Sequence, residues 1–340
     1  MSEQKLKLGI IGMGRVAMAH AEATTELKEQ VELAAIAELR SERAKEMAKA
    51  LGVKKVYLDY RELLKDPEIE AVIICLPNHL HHPVCLEAAR AGKHILVEKP
   101  MCMNLAEADE MISEANKHEI TLMVGQCRRF SLAMQEIFNR IDEIGQPFRI
   151  DIAFLVHFHQ PPTDWWKSSE KAGGLVILLQ GSHSVDTVLW LLKKVPSSVV
   201  AVSQSQNSLW DGEDEADIIL NFNTGELASI HLSLNVSPYL HELLISGPKG
   251  SIRLFEYPTE KTYGFRYRLE LNEKTILEGE QIPSLYTNQL HEFSGAIREN
   301  RVPLASGQEV RNTMLVLEAV RQSQKEERIV GISCSEELNL

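Results

Sequence analysis

An apolar run is a costly place for a titratable side chain, so polar breaks in such runs are where chemistry is sought first. One break is Gln180-Gly181-Ser182-His183 within LLQGSHSVD (178–186), after which Val185, Val188, Leu189 and Leu192 resume an i, i+3, i+4, i+7 spacing. A second is Glu98-Lys99-Pro100, directly after the strand-like HILV. A third is Pro77-Asn78-His79-Leu80-His81-His82, after AVIIC. A histidine moves protons near neutral pH. A lysine at a strand end, its ammonium disfavoured by burial, can hold or protonate an oxygen. Each also has a plainer use: a histidine satisfied within a core, a lysine whose stem is buried while its head reaches water. Glu98 does not simply neutralise Lys99, because strand neighbours point to opposite faces.

These residues need elements to position them. The strand-like segments are KLKLGIIG (5–12), VELAAIAE (31–38), AVIICLP (71–77), HILVEKP (94–100) and TLMVGQ (121–126). Helix-like stretches start near Arg15 and cover 41–51, 82–91 and 105–118. Strands without polar alternation, separated by helices, predict an α/β, Rossmann-type doubly wound parallel sheet. At its first strand-to-helix turn stands Gly12-Met13-Gly14-Arg15-Val16-Ala17, a G-x-G-x-x-A pattern. Gly12 permits the tight turn, Gly14 lets a pyrophosphate approach the backbone, and Ala17 allows close helix–strand packing. The helix N-terminus offers N–H groups to the phosphates. Glu38 lies 24 residues beyond Gly14, near the spacing of about 20 for an acid that binds a ribose 2′-hydroxyl. A carboxylate there repels a 2′-phosphate, so NAD is the expected cofactor. Arg40, two residues on, softens that preference toward NADP. Ligands of such sheets bind at the carboxyl ends of the strands, where the second and third polar breaks fall.

From about Gly145 the pattern changes. PFRIDIAFLVHFH (147–159) alternates in hydrophobicity like a half-buried antiparallel strand. Further strand-like runs are 197–205, 216–222, 227–236, 241–246, 251–256 and 265–271, with helices expected near 176–193, 285–299 and 307–324. The expected organisation is an NAD(P)-binding domain over 1–125 and an α+β domain over 126–340, its large sheet mostly antiparallel and open on one face. The loop PPTDWWKSSEKAGG (161–174) carries Trp165 and Trp166. Their faces suit stacking on a sugar ring or capping a core. Lys167, His157 and His159 are further candidates to touch substrate.

Composition narrows the classes. The 340 residues are 44% hydrophobic and 25% charged, with a net charge of −12. That speaks against nucleic-acid binding, which needs a basic surface. No run is long enough to span a membrane, and the start MSEQKLKLGIIG shows no signal-peptide pattern. None of Cys75, Cys85, Cys102, Cys127 and Cys334 has C-x2-C spacing. Reduced thiols in a cytoplasmic protein, with no metal site, are expected.

In GIIGMGRVAMAH, CLPNHLHHPVCLEAARAGKHILVEKPM, GQCRRF, QGSHSVDTVLWLL and HEFSGAIRENRVPLASGQEVRNTMLVLEAVRQS, taken in order, the chain resembles the glucose-fructose oxidoreductase / inositol dehydrogenase / MocA family. The resemblance implies that Gly12, Gly14 and Ala17 hold the pyrophosphate and Glu38 the adenosine ribose. It implies that Pro77, Asn78 and His81 line the nicotinamide end and that Glu98 contacts the nicotinamide ribose or carboxamide region. Lys99 is then the active-site lysine and His183 the second domain's catalytic histidine. Family dehydrogenases carry an Asp four residues before that histidine; this chain has Leu179. Asp186 is the nearer carboxylate that could orient the imidazole. The expected activity is hydride transfer between NAD(P) and a secondary alcohol or ketone of a sugar, cyclitol or related metabolite. Redox-assisted cleavage of a glycosidic bond and a non-enzymatic NAD(P) sensor stand as alternatives. The open sheet implies a homodimer or homotetramer.

Overall fold

Leu6–Ile11 (β1) has five of its six residues buried, which places it at the centre of a sheet covered on both faces. It pairs in parallel with both β2 (Val31–Ala37) and, beyond β3 (Lys55–Tyr57), β4 (Ala71–Ile74). With β5 (His94–Glu98) and β6 (Leu122–Gly125) the order is β3-β2-β1-β4-β5-β6, parallel throughout. The connections are α1 (Arg15–Glu26), α2 (Ser41–Leu51), α3 (Tyr60–Lys65), α4 (His81–Arg90) and α5 (Leu105–Lys117). The order reverses direction at β1/β4, where doubly wound sheets open a crevice at the strands' carboxyl ends. Local chemistry sets the boundaries. Asn104 caps α5 by accepting from Glu107 N at 3.0 Å, while Glu107 Oε2 accepts from Met103 N at 2.9 Å, a reciprocal box. Gly52, at φ 68°, ends α2 in the left-handed conformation.

The computed structural model describes residues 5–333 and divides into two compact units. Within the described residues, one comprises 5–127 with 283–311, the other 128–282 with 312–333. The second holds α6 (Leu132–Arg140), β7 (Arg149–His157), α7 (Ser169–Ala172), α8 (Val176–Leu179), α9 (Gly181–Leu192), β8 (Ser198–Gln204), β9 (Glu215–Asn221), β10 (Leu227–Ser233), β11 (Asn235–Gly247), β12 (Gly250–Pro258), β13 (Phe265–Leu271) and β14 (Lys274–Glu280). After α10 (Leu285–Glu299) come α11 (Gly307–Glu326) and β15 (Val330–Gly331). Its nine-stranded sheet runs β14-β13-β12-β11-β7-β10-β9-β8-β15, with β7/β10 parallel and the other pairs antiparallel. Strict alternation of burial along β9 shows one covered and one open face.

Two sequence expectations differ from this structure. The compact units are not contiguous in sequence: α10 and the turn after it join the first unit. Thr287 Oγ1 donates to Glu26 Oε2 at 2.8 Å, and Val124 N on β6 donates to Ala305 O at 2.9 Å. The helix expected over 176–193 is two helices broken at Gln180, and the stretch Ser169–Leu179 is bent by 44° from Gly181–Leu192. No single described helix is long and apolar enough to cross a membrane. The bent pair Ser169–Leu179 and Gly181–Leu192 passes on length and composition together, yet every residue from Leu175 to Leu192 is buried in its unit. Cys75, Cys85, Cys102 and Cys127 are buried free thiols, and Cys334 lies outside the described residues.

Candidate active site

The first unit builds a nucleotide cradle from backbone. Gly12 leaves β1 at φ +87°, and a Cβ there would stand 2.6 Å from Cys75 O. Only glycine fits. Gly14 precedes α1 with φ −76° and ψ −166°, and a Cβ would meet nothing nearer than Cys75 O at 4.0 Å. That empty space lies in front of a helix whose first turn holds no acidic side chain, as a phosphate requires. Arg15 is exposed, Val16 is half-buried and Ala17 is fully buried under the helix. Glu38, at the end of β2, is 7% exposed. Its Oε2 accepts from Met13 N at 3.1 Å and its Oε1 from Arg40 N at 3.0 Å and Arg40 Nε at 2.8 Å. Burial pushes this carboxyl up, but the bonds from Arg40 and from Met13 N–H outweigh it and hold it below the ordinary glutamate range.

At the next strand ends, Pro77 and the buried Asn78 open a short 3-10 turn, Asn78–Leu80, that runs into α4. The three neighbouring histidines part company. His81 is fully buried, with Nδ1 2.8 Å from Pro100 O and Nε2 2.9 Å from Leu76 O. Burial lowers its pKa even though both carbonyls favour the cation. Both ring nitrogens thus face backbone carbonyls, the neutral imidazole donating to one of the two, and the residue sits between the Leu76 turn and the Pro100 turn. His82 Nε2 lies 2.8 Å from Glu110 Oε2, and His79 takes neither contact. Glu98 is buried, with Oε1 2.7 Å from His20 Nε2 and Oε2 accepting from Lys99 N at 3.2 Å. Gly125 makes room for it, since a Cβ there would lie 3.2 Å from Glu98 Cα and Oε1. Lys99 itself is half-buried, so it does not bear the full burial cost that the sequence suggested. His20 was not marked in the sequence as functional. It sits inside GIIGMGRVAMAH, six residues after Gly14, fully buried and edge-on to Tyr286 at 5.1 Å.

In the second unit, His183 lies in the first turn of α9, is 9% exposed, and donates its backbone N–H to Gln180 O at 3.0 Å. Leu179, on the far side of the bend, is 3% exposed. The i, i+4 relation between these two positions therefore spans a break rather than one helix face. Asp186 is not left to orient an imidazole. Its Oδ2 accepts from Arg129 Nε at 2.7 Å, and its Oδ1 from Arg129 Nη2 at 2.8 Å and Thr313 Oγ1 at 3.0 Å. The buried bidentate pair anchors α9 to the 3-10 turn Cys127–Phe130, and the Thr313 bond ties α9 to α11. Glu213 holds the start of α8, accepting from Leu175 N at 2.7 Å and Ile177 N at 3.3 Å. Trp165 and Trp166 are half-buried in a 3-10 turn. Trp166 packs edge-on to Phe158 at 5.5 Å and beside Trp210 at 6.4 Å, while Trp165 meets Trp166 at 6.0 Å. Trp166 serves the unit's own aromatic cluster, and Trp165 is the freer ring. His157 and His159 are exposed and pack on each other at 4.2 Å, and Lys167 pairs with Asp164 at 3.1 Å.

A doubly wound sheet with a glycine turn, an acid at the end of β2 and a second unit built on an open sheet define a two-domain nucleotide-binding protein of the Rossmann class. The chain belongs to the glucose-fructose oxidoreductase / inositol dehydrogenase / MocA family. Residues 6–126 match its model described as oxidoreductase family, NAD-binding Rossmann fold, and residues 140–332 match its C-terminal alpha/beta domain. The chain is 28% identical to myo-inositol 2-dehydrogenase of Thermotoga maritima, over 96% of this chain and 98% of that one. It is 30% identical to 1,5-anhydro-D-fructose reductase of Ensifer adhaerens, over 79% and 81%. Its fold matches the crystal structure of aldose-aldose oxidoreductase from Caulobacter crescentus complexed with glycerol, with a TM-score of 0.86 and 26% identity over 96% of this chain and all of that one. The first unit is thus an NAD-binding domain, and its open Gly14 face and carboxylate-ended β2 fit that cofactor.

Proposed function

We propose that this protein moves a hydride between a nicotinamide cofactor and a secondary alcohol or ketone of a sugar, cyclitol or related metabolite. The observation that carries the reading is the strand-end constellation of the first unit: the open Gly14 turn, Glu38, and Glu98-Lys99 fixed by His20. Relatives named for inositol and anhydrosugar redox chemistry support the substrate class. When bound, the nicotinamide supplies or accepts the hydride at carbon. The chain binds, orients and handles the proton. Lys99 is the group of the first unit that holds a substrate oxygen by a hydrogen bond, and His183 is the group of the second unit that the family resemblance assigns to proton transfer. Trp165 offers a face to the ring. The test is a panel of polyols and sugars with NAD or NADP, read by nicotinamide absorbance. Tight cofactor binding with a persistent blank across the panel would sink the reading.

Leu179 favours a second reading, because the carboxylate of the family's dehydrogenases is missing. In it the cofactor stays bound and transient oxidation drives elimination or hydrolysis at a glycosidic bond. Product release with no net change in NADH distinguishes it. We further infer a cytoplasmic homodimer or homotetramer assembled through the open sheet face. Four buried free thiols and the exposed apolar side chains of that face support this.

A further inference from the structure

Two polar side chains at the start of α9 are buried without use. Gln180 is 6% exposed and Ser184 2%, yet neither Gln180 Oε1 nor Ser184 Oγ has a hydrogen-bond partner among the described residues. A buried polar atom left so is destabilising and calls for a reason. Ser182, between them, shows the ordinary arrangement: its Oγ donates to Leu179 O at 3.3 Å. His183 N and Ser184 N both donate to Gln180 O, at 3.0 and 3.2 Å, so the three residues close one turn. Positions three and four apart are neighbours on a helix surface, which puts the Gln180 side chain beside His183 and Ser184. Gly181 is the residue of this turn that packs on the sheet, since a Cβ there would lie 3.2 Å from Leu232 Cδ1 on β10. Gln180 and Ser184 are turned about 60–100° from it. The residue before Gln180 is Leu179, where the family's dehydrogenases carry their carboxylate.

We propose that Gln180 and Ser184 form an uncharged subsite for a second substrate hydroxyl, so that the substrate is a vicinal diol or the matching α-hydroxy ketone. A hydroxyl donates and accepts at once. It gives its proton to the amide oxygen and takes the serine's, and one ligand group then satisfies both buried atoms. A ligand carboxylate or phosphate has no proton for the amide oxygen and would leave it unpaired. His183 lies about 5–6 Å away between side-chain origins, which suits two groups that reach oxygens on neighbouring carbons. The pair thus holds substrate in place of the missing carboxylate. It cannot take a proton, because neither group titrates near neutral pH, and that task is left to His183. The inference rests on the hydride-transfer reading for the role of His183, but its test does not depend on turnover.

The test uses NADH-loaded protein, in which an alcohol binds without being oxidised. Calorimetry gives dissociation constants for cis-1,2-cyclohexanediol and for cyclohexanol in the wild-type chain, Gln180→Met and Ser184→Ala. The wild-type chain binds the diol about tenfold more tightly than the mono-alcohol. Gln180→Met, close in volume, removes most of that gap, Ser184→Ala narrows it about threefold, and neither moves the cyclohexanol constant. Each variant deletes an unpartnered buried atom, so its thermal midpoint without ligand holds or rises. A midpoint that falls in both variants would make the two side chains part of the packing and overturn the subsite. So would a wild-type chain that does not distinguish the two alcohols, or a gap that survives both substitutions. Polyol oxidation with an unaltered gap removes the subsite alone. A diol gap that depends on Gln180, with no polyol oxidised, removes the hydride-transfer reading alone.

Discussion

Gly12 and Gly14 stand two residues apart and meet different demands. At Gly12 the fold itself excludes a side chain, through φ +87° and a Cβ position 2.6 Å from Cys75 O. At Gly14 the protein leaves the space empty, so the exclusion comes from the ligand. Gly12→Ala is expected to cost about 2 kcal/mol or more of stability. Gly14→Ala should cost under about 1 kcal/mol, yet weaken NADH about tenfold or more. Urea melts and NADH fluorescence on the two variants separate these effects, and equal loss of stability in both would refute the distinction. His20 makes a similar case. Removing it strands a buried Glu98 oxygen, so His20→Ala should lose about 2–3 kcal/mol, and His20→Gln, which restores a donor, should recover part of that. Urea midpoints at unchanged slope give the answer. The histidine escaped the sequence reading because nothing in GIIGMGRVAMAH shows that its partner is Glu98, 78 residues away. The glycines were legible because their requirement is local.

At the scale of elements, the Gln180 bend shows how far periodicity carries. The i, i+3, i+4, i+7 stripe from Val185 correctly marks α9, because its spacing is a property of one helix. It does not show that the preceding apolar residues belong to a separate four-residue helix, since a fully buried helix has no polar face to reveal a change of axis. What starts that short helix is Glu213, 36 residues after Ile177. Its burial pushes the carboxyl above the ordinary glutamate value, against the opposing bonds from Leu175 and Ile177 N–H. The folded state therefore binds this proton more tightly than the unfolded one. The resulting stability is present at low pH and is lost as pH rises from the unfolded value of 4.5 through the raised folded value. Glu213→Gln keeps an acceptor for both N–H groups and removes the buried charge, so it should be neutral or stabilise by about 1 kcal/mol at pH 7. It should also flatten the fall in stability as pH rises above 4.5. Glu213→Ala orphans the two donors and should cost about 2 kcal/mol. Denaturant melts across pH check all three, and an unchanged pH slope in Glu213→Gln would remove the carboxyl from this role.

At the scale of the whole molecule, five of the six strands of the doubly wound half were legible, because buried parallel strands have no competing pattern; β3, three residues long and with none of them fully buried, gave no such run. The return of 283–311 to the first unit was not. α10 is amphipathic against either unit, and its bond to Glu26 is formed across most of the chain. The open sheet face lies between these cases: alternation along β7 and β9 marks it, but alternation alone does not say what covers it. On that face the exposed side chains include Ile219, Leu227, Leu240 and Tyr257, with Arg253 and Arg268 both stacked on Phe255 at 4.6 Å. A broad surface mixing aliphatic, aromatic and arginine side chains has the composition of an association surface. A second copy burying about 800 Å² per partner would cover its centre. The chain is therefore expected to sediment as a dimer or tetramer. Ile219→Asp combined with Leu240→Asp should shift it to the protomer mass. Both residues point away from the covered core, so the thermal midpoint of the first unit should stay put, and NADH binding there should persist in the dissociated form. Sedimentation velocity alongside NADH fluorescence reads both quantities. A wild-type chain already monomeric at micromolar concentration, or a double variant that keeps its assembly, would move the interface off this face.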